Sequence, residues 1–110
     1  MGKFVKGDVV VVPFPFSDLS SSKRRPALVV AGLTGDDVIL TQITTNLKSD
    51  SYAVSLIRRD FESGGLDHES NIRPNRLFTG DSNIVIKKAG KLSKQKTDEV
   101  INKIIQIIKS

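Results

Sequence analysis

The fold of this chain is decided near its N-terminus, by the stretch KGDVVVVPFPFSDL at residues 6–19 and the stretch SKRRPALVV at residues 22–30. Each stretch contains a run of valines or other aliphatic residues, and β-branched residues favour strands. Pro13 ends the first run and Pro26 stands at the start of the second, as expected of a residue that cannot donate a hydrogen bond within a sheet. Residues 13–24 include two prolines and four serines, a composition that predicts a loop. Loops of that length are often functional. The sequence therefore predicts two short strands around a functional loop.

Short apolar runs separated by turns continue along the chain, in which Val and Ile supply 22 of the 110 residues. Further strands are predicted at residues 38–44, 52–56, 70–79 and 83–87. Tyr52, Val54 and Leu56 alternate with small residues, which indicates one buried face. Pro74 interrupts its run and predicts an edge or a kink there. Five to six such strands predict a mainly β protein, built as a small, strongly bent antiparallel sheet or barrel.

The C-terminal segment is predicted to form one amphipathic helix that begins after Ser93, a typical N-cap residue. Gly90 precedes it as a hinge from the last strand. One helical face carries apolar residues at the expected spacing, namely Thr97, Val100, Ile101, Ile104, Ile105 and Ile108. Ile107 lies off this stripe, which predicts that the helix is covered on two sides.

Composition narrows the function. A chain of 110 residues and 12.0 kDa is expected to form one domain over residues 1–110. Cysteine is absent and His68 is the single histidine, which excludes disulfides, a thiol nucleophile and a metal site built from several histidines. No apolar run approaches the ~18 residues of a membrane span, and the N-terminus does not resemble a signal peptide. We expect a cytoplasmic protein with no cofactor, no metal and no membrane partner.

The net charge of +5 is concentrated at the C-terminal end. Residues 1–86 carry ten basic and ten acidic side chains, whereas residues 87–110 carry seven lysines against two acidic residues. A lysine-rich, solvated helix face explains this excess more simply than nucleic-acid binding does. The cluster Lys23-Arg24-Arg25 and the pair Arg73 and Arg76 are more informative, because they lie beside turn residues, where side chains can converge on a ligand.

Four motifs in this order resemble the PemK/MazF family of toxins. The two N-terminal stretches resemble the family's G-D start, aromatic loop and R-P strand. Residues 41–44, TQIT, resemble its third strand, which ends in a catalytic Thr or Ser. Residues 65–70, GLDHES, resemble its G-L-x-x-x-S turn, and residues 90–93, GKLS, its step into the last helix.

The resemblance implies a small SH3-like (CcdB/MazF-like) antiparallel barrel with a C-terminal α-helix, assembled as a homodimer. It also implies a metal-independent endoribonuclease that cleaves single-stranded RNA and is inhibited by a cognate antitoxin with an acidic segment, in a complex that binds DNA. Arg25 and Thr44 match the catalytic positions. The residues expected to contact RNA are Phe16, Lys23, Arg24, Asn46, Ser70, Arg73, Asn75 and Arg76. Arg76 stands where the family often has Gln, and Phe78 where it often has Arg, so the cut-site sequence stays open.

The implied chemistry suits these residues. When the 2′-OH of RNA attacks the adjacent phosphorus, a proton must leave the hydroxyl and charge on the phosphoryl oxygens must be balanced. The guanidinium of Arg25 suits those oxygens, and the hydroxyl of Thr44 can orient the nucleophile or donate to phosphate; the general base and acid stay unassigned. Two alternatives compete: a gyrase-inhibiting toxin, disfavoured because the chain has no Trp, and an SH3-like binding module, disfavoured by its single Tyr.

Overall fold

A computed structural model describes residues 4–14, 23–45 and 50–110, with Phe14 and Lys23 described by their backbone alone. The described elements are the strands β1 (Asp8–Phe14), β2 (Lys23–Gly32), β3 (Asp37–Thr44), β4 (Val54–Leu56), β5 (Phe61–Gly64), β6 (Ser70–Asp81) and β7 (Lys87–Leu92), the helix α1 (Lys94–Lys109), and the 3₁₀ turns Arg58–Asp60 and Ser82–Ile84. The prediction of a mainly β fold with one C-terminal helix is confirmed.

All the strand pairs are antiparallel, in one sheet of order β4-β6-β3-β2-β1-β7-β5. The two edge strands, β4 and β5, are joined by residues 57–60 alone. A flat sheet of this order would hold its edges about 29 Å apart, whereas the connection from Leu56 to Phe61 can span at most about 18 Å. The sheet must therefore curl until its edges approach each other, as the predicted bent sheet requires.

Each face of the curled sheet carries its own apolar cluster. On the helix side, Val100 and Ile104 of α1 pack with buried residues of the strands, which include Val9, Leu28, Ile43, Leu56 and Ile72. The other face, which we call the distal face, carries a smaller buried cluster of Val10, Val12, Ala27, Val29, Val38 and Leu40. Alternation along β3, and along β2 up to Val29, assigns each residue to one face or the other, and this assignment locates the polar residues discussed below. A register shift between Val29 and Ala31 interrupts the alternation further along β2.

Two strands differ from the predictions. β5 was not predicted, because residues 58–69 are rich in charge and glycine. The predicted strand at residues 83–87 is a 3₁₀ turn followed by β7, and the carboxylate of Asp81 caps that turn by accepting from the Asn83 N–H at 2.8 Å. Gly90 is consequently part of β7 and is not a hinge.

Gly64 and Gly90 lie opposite each other where β5 pairs with β7, and both positions require glycine. Gly64 has φ +67°, a region that side chains with a Cβ rarely adopt. A Cβ on Gly64 would lie 2.3 Å from the Ala89 carbonyl oxygen, and a Cβ on Gly90 would lie 2.6 Å from the Ser63 carbonyl oxygen. The pair therefore allows two backbones to approach more closely than any other residues would permit.

The predicted N-cap of the helix is confirmed, since Ser93 Oγ accepts from the Lys96 N–H at 3.2 Å. The predicted apolar stripe is only partly covered. Thr97, Val100 and Ile104 are buried, whereas Ile105 and Ile108 are 44% and 70% exposed. These two isoleucines lie beyond the reach of the curled sheet. The turn at residues 50–53 also corrects the prediction for Tyr52, which is exposed and precedes β4.

Carboxylates neutralise many lysines of the C-terminal segment. The ammonium groups of Lys88 and Lys91 lie 3.2 and 3.5 Å from Oδ1 of buried Asp8, whose Oδ2 accepts from the Val5 N–H at 3.0 Å. Further ion pairs join Lys94 to Asp98, and Lys96 to Glu99 and Asp60. Much of the positive excess thus serves the fold. No helix in the described part of the chain is long and apolar enough to cross a membrane.

Candidate functional site

Arg25 and Thr44 come together on the distal face. The β2–β3 register pairs Leu28 with Thr41 and Ala27 with Gln42, and the same register continued by two residues sets Arg25 opposite Thr44. Arg25 shares a face with Ala27, and Thr44 shares it with Gln42, because side chains alternate along a strand. Two residues that are far apart in sequence therefore lie on one face, at the same end of neighbouring strands.

Pro26 marks the end of the pairing between β2 and β3. The β2–β3 pairing ends at Ala27 and Gln42, and the next residue of β2, Pro26, has no N–H to donate. Arg25 is nevertheless fixed by its pairing with Val12 of β1. Beyond this point, β2 is held by β1 and β3 is held by β6.

A polar row runs across the sheet from this pair. Thr44 pairs with Asn71 of β6, and Asn71 pairs with Ser55 of β4, so Arg25, Thr44, Asn71 and Ser55 occupy successive strands. Thr44 is only 7% exposed and makes further polar or packing contact in the folded chain, whereas Arg25 and Asn71 are half-buried. The row gives the distal face a strip of hydrogen-bonding groups beside its apolar cluster.

A second row lies one step further along β3. Gln42 pairs with Arg73 of β6 on the same distal face. The Arg73 guanidinium is partly exposed, and its Nε donates to Asp50 Oδ2 at 2.9 Å. The basic side chain predicted from the sequence is therefore a neighbour of the Arg25–Thr44 pair, and an acidic residue accompanies it.

A bulge in β6 presents Asn75 and Arg76 to solvent. The β3–β6 register pairs Gln42 with Arg73 but Thr41 with Leu77, so residues 74–76 have no counterpart on β3. The buried Thr41 hydroxyl donates to the Arg73 carbonyl oxygen and lies 3.4 Å from the Arg76 carbonyl oxygen, which closes the base of the bulge. The kink predicted from Pro74 is confirmed, and Asn75 and Arg76 are exposed on it.

The remaining predicted residues are dispersed. Ser70 is buried on the helix side of β6 and donates to the His68 carbonyl oxygen at 3.0 Å, so the structure does not bring it to the distal face. Arg24 is exposed, and its position in β2 alternates with that of Arg25. Lys23 pairs with Phe14 through its backbone. The predictions for Phe16 and Asn46 lie outside the described residues.

Sequence reasoning missed Gln42, Asn71 and Asp50. The signal for the first two was present, because period-two alternation in residues 41–44 and 70–73 sets Gln42 beside Thr44 and Asn71 beside Arg73 on one face. Nothing in the sequence indicated that Asp50 would contact Arg73, because the two residues are 23 positions apart and no periodic pattern relates them.

A cavity of about 470 Å³ lies elsewhere, with Leu56, Phe61, Leu66 and His68 among its lining residues. It contains neither Arg25 nor Thr44, and His68 itself is exposed. Across residues 4–14, 23–45 and 50–110, no three acidic or histidine side chains are close enough together to hold a metal ion.

Comparison with protein families shows to which family the chain belongs. Residues 5–108 match the model of the family described as PemK-like, MazF-like toxin of type II toxin–antitoxin system. The chain belongs to this family. The match covers nearly the whole chain and includes all the motifs from which the resemblance was inferred. Sequence comparison with curated proteins gives no match.

Solved structures of PemK/MazF toxins share the fold. A MazE–MazF structure from Deinococcus radiodurans matches with a TM-score of 0.74 at 19% identity, covering 96% of this chain and 95% of the other. The Mycobacterium tuberculosis toxin MazF-mt6 matches with a TM-score of 0.72 at 15% identity, over 93% and 96% of the two chains. An endoribonuclease in complex with its cognate antitoxin, from a mycobacterial species, matches with a TM-score of 0.70 at 12% identity, over 96% and 94%. These identities are low, so the likeness establishes the fold.

Proposed function

We propose that this PemK/MazF-family toxin is an endoribonuclease that cleaves single-stranded RNA at the Arg25–Thr44 pair. The observation that carries the proposal is the position of these two residues on the distal face, each two residues beyond the last β2–β3 pair. Both residues also match the catalytic positions of the family motifs in the sequence. A mycobacterial structural neighbour is itself described as an endoribonuclease bound to its antitoxin, which agrees with this activity.

The proposed reaction is attack by the 2′-OH on the adjacent phosphorus. A new O–P bond forms, the bond to the 5′-oxygen of the next nucleotide breaks, and the products are a 2′,3′-cyclic phosphate and a 5′-hydroxyl. Arg25 would balance charge on the non-bridging oxygens, because a guanidinium remains charged at neutral pH and matches phosphate geometry. Thr44 would orient the 2′-OH or donate to a phosphoryl oxygen. The chain's own groups thus supply charge balance and positioning.

The polar side chains around the Arg25–Thr44 pair suit an extended RNA strand. Asn71, Gln42 and Arg73 continue the polar surface across β3 and β6, and the exposed Asn75 and Arg76 stand beyond them on the bulge. Amide groups recognise base edges, and arginines bind phosphates or stack on bases. An unpaired RNA strand that crosses β2, β3 and β6 would contact all of these groups, whereas a duplex would keep its base edges out of reach.

The assay that tests this proposal compares labelled single-stranded RNA with DNA of the same sequence, in the presence of a chelator. We expect the RNA to be cleaved to a cyclic phosphate and the DNA to remain intact, because DNA lacks the nucleophile. Loss of cleavage on chelation would refute the metal-independent mechanism. Failure to cleave any RNA, with binding to gyrase or to a proline-rich peptide instead, would favour one of the two alternative functions.

We further propose that the toxin binds a small antitoxin with an acidic segment. Arg24 and Arg25 lie together at the start of β2, beside Lys23, and this basic group would attract carboxylates as it attracts phosphates. A disordered acidic segment that folds along the site would exclude RNA. Co-purification with the product of the adjacent gene tests this; if an acidic partner neither co-purifies nor inhibits cleavage, the antitoxin proposal fails.

A homodimer is the proposed assembly. Ile105 and Ile108 leave apolar surface on α1 exposed in one chain, and a two-fold contact between identical surfaces would bury it. Sedimentation at micromolar concentration is expected to give about twice the chain mass. A single-chain mass under these conditions would contradict the assembly without affecting the proposed chemistry.

A further inference from the structure

Asp50 joins the β3–β4 connection to the candidate site. Its backbone carbonyl oxygen accepts from the Ala53 N–H at 3.2 Å, which defines a turn over residues 50–53. Its side-chain Oδ1 accepts from the Tyr52 N–H at 3.0 Å, the arrangement of an Asx-turn. The second oxygen, Oδ2, is 2.9 Å from Arg73 Nε. One carboxylate therefore holds the turn with one oxygen and the arginine with the other.

The contact uses only one edge of the Arg73 guanidinium. Nε donates to Asp50, and a guanidinium also carries four N–H donors on its two terminal nitrogens. The Asp50 side chain is 8% exposed, whereas that of Arg73 is 25% exposed. The carboxylate therefore lies inside, with part of the guanidinium still at the surface. Fixing Nε also restricts the plane of the group and the direction of its terminal N–H groups.

Arg73 is pinned at both its backbone and its side chain. Its carbonyl oxygen accepts from the buried Thr41 hydroxyl, and its register position sets it opposite Gln42, one row from Thr44 and Asn71. A long side chain with many rotamers is thereby reduced to a narrow range of directions beside the Arg25–Thr44 pair. Because the side chain is already restricted, less conformational entropy is lost when a ligand binds.

We propose that Asp50 is a positioning residue that orients the Arg73 guanidinium so that its terminal N–H groups contact the RNA strand beside the Arg25–Thr44 pair. This inference rests on the proposed function and deepens it, because it makes Arg73 a pre-oriented phosphate or base contact. Asp50 itself touches no substrate.

Asp50 is unsuited to act as the general base. Both of its oxygens are engaged, by the Tyr52 N–H and by Arg73. The Tyr52 N–H, the Arg73 hydrogen bond and the charges of Arg73 and Arg76 hold the pKa of the Asp50 carboxyl below its ordinary value, although its burial acts in the opposite direction. A carboxylate stabilised in its charged form accepts a proton reluctantly, so its effect on the reaction is indirect.

Loss of the Asp50 charge should affect binding and turnover differently. Asp50→Asn keeps a side-chain oxygen for the Tyr52 N–H and so keeps the turn, but it removes the anion that holds Arg73. The site becomes more positive, so binding of a polyanion should not weaken. The guanidinium loses its fixed direction, so turnover should fall. A general structural defect would instead weaken binding and turnover together.

The experiment is a double-mutant cycle of wild type, Asp50→Asn, Arg73→Ala and the double variant. For cleavage of labelled RNA, we expect Asp50→Asn to lower kcat by about tenfold, as misplacing a group near the reaction can, with KM unchanged or lower. In the Arg73→Ala background, Asp50→Asn should have no further effect on kcat. The matched control is Asp98→Asn, which removes an ion-paired aspartate on α1, 2.7 Å from Lys94, and should leave both constants unchanged.

A second readout separates this inference from the proposed function. Binding of an uncleavable all-2′-deoxy oligonucleotide is measured for the same four proteins, and we expect Arg73→Ala to weaken it and Asp50→Asn not to. If wild type cleaves RNA but Asp50→Asn keeps wild-type kcat, or loses the same factor with and without Arg73, the inference is wrong and the function stands. If wild type cleaves no RNA, the function is wrong, and the inference, which rests on it, fails as well.

Discussion

Arg25 and Thr44 each lie two residues beyond the last backbone pair of β2 and β3, Ala27 with Gln42, on the same face of the sheet. Pro26 accounts for this relationship, because it ends the hydrogen-bond ladder while keeping Arg25 in an extended strand. Arg25 is anchored to β1 and Thr44 to β6. The Arg-Pro step thus places Arg25 on the distal face at the point where the pairing of β2 with β3 ends.

Arg25→Ala should lower RNA cleavage by at least about 10²-fold, the scale for removing one donor to a charged transition state. Arg24→Ala is the matched control, because Arg24 alternates with Arg25 along β2 and is exposed. Cleavage of a labelled oligonucleotide in the presence of a chelator measures both variants. Equal losses of cleavage activity in the two variants would mean that Arg25 contributes only its positive charge and makes no specific contact.

Thr44→Ala should reduce cleavage more than Thr45→Ala does. Thr44 is buried on the distal face and pairs with Asn71, whereas Thr45 follows the end of β3 and is exposed. The comparison needs kcat for each variant and a thermal unfolding curve to show that both fold. A larger loss at Thr45 would mean that the hydroxyl that assists cleavage belongs to the residue after β3 and not to β3 itself.

Thr41→Val should destabilise the protein by about 1–3 kcal/mol, because it deletes a buried hydroxyl and leaves carbonyl oxygens of the bulge without their donor. Thr79→Val is the control on β6, at an exposed position. Denaturant unfolding gives both values. If the free energies of unfolding match, the hydroxyl does not hold residues 74–76 in place.

Gly64→Ala should cost at least about 2 kcal/mol, from the strain of a positive φ and the collision of the new Cβ with the Ala89 carbonyl oxygen. Gly65→Ala should be nearly neutral, because no atom lies within 4 Å of the position of its Cβ. Denaturant midpoints for these adjacent variants test whether the β5–β7 crossing depends on Gly64. A mild effect at Gly64 would show that the two strands can separate at little cost.

Asp50 predicts a specific acid dependence of stability. The pKa of its carboxyl is held below the ordinary value of 3.8, so its contribution is complete above that value and is lost as the pH falls through the lower, folded-state value. The free energy of unfolding of wild type should therefore exceed that of Asp50→Asn at about pH 6, and the difference should shrink towards about pH 2. Urea unfolding at the two pH values measures it. A difference that does not change with pH would mean that the charged carboxylate does not stabilise the fold.

The fold was largely predictable because its signals are local. Four consecutive valines, two prolines and an N-cap serine define strand, loop and helix without reference to the rest of the chain. β5 (FESG) and β7 (KKAGKL) escaped prediction because small and charged residues dominate them, and those residues favour turns and solvent. Their strand conformation depends on a crossing at Gly64 and Gly90 that only the folded sheet creates.

The candidate site was predictable only in part. Arg25 and Thr44 followed from the family motifs, and alternation could have added Gln42 and Asn71. Asp50 and Thr41 could not be found in this way, since each acts on β6 from a different part of the chain. Ser70 shows the converse: its side chain is directed into the protein because β6 alternates, which the motif alone does not reveal.

The pairing of β1 with β7 joins residues 8–11 to residues 87–91, and this has a consequence for synthesis. The N-terminal end of the chain leaves the ribosome first, so β1 emerges long before β7, its neighbour on one side, has been synthesised. The β2–β3 hairpin with Arg25 and Thr44 can form early, but the curled sheet is complete only once β7 has emerged with α1 behind it. A toxin of this topology would gain its folded active surface at the end of translation, and truncated chains that lack β7 would be harmless to the cell that makes them.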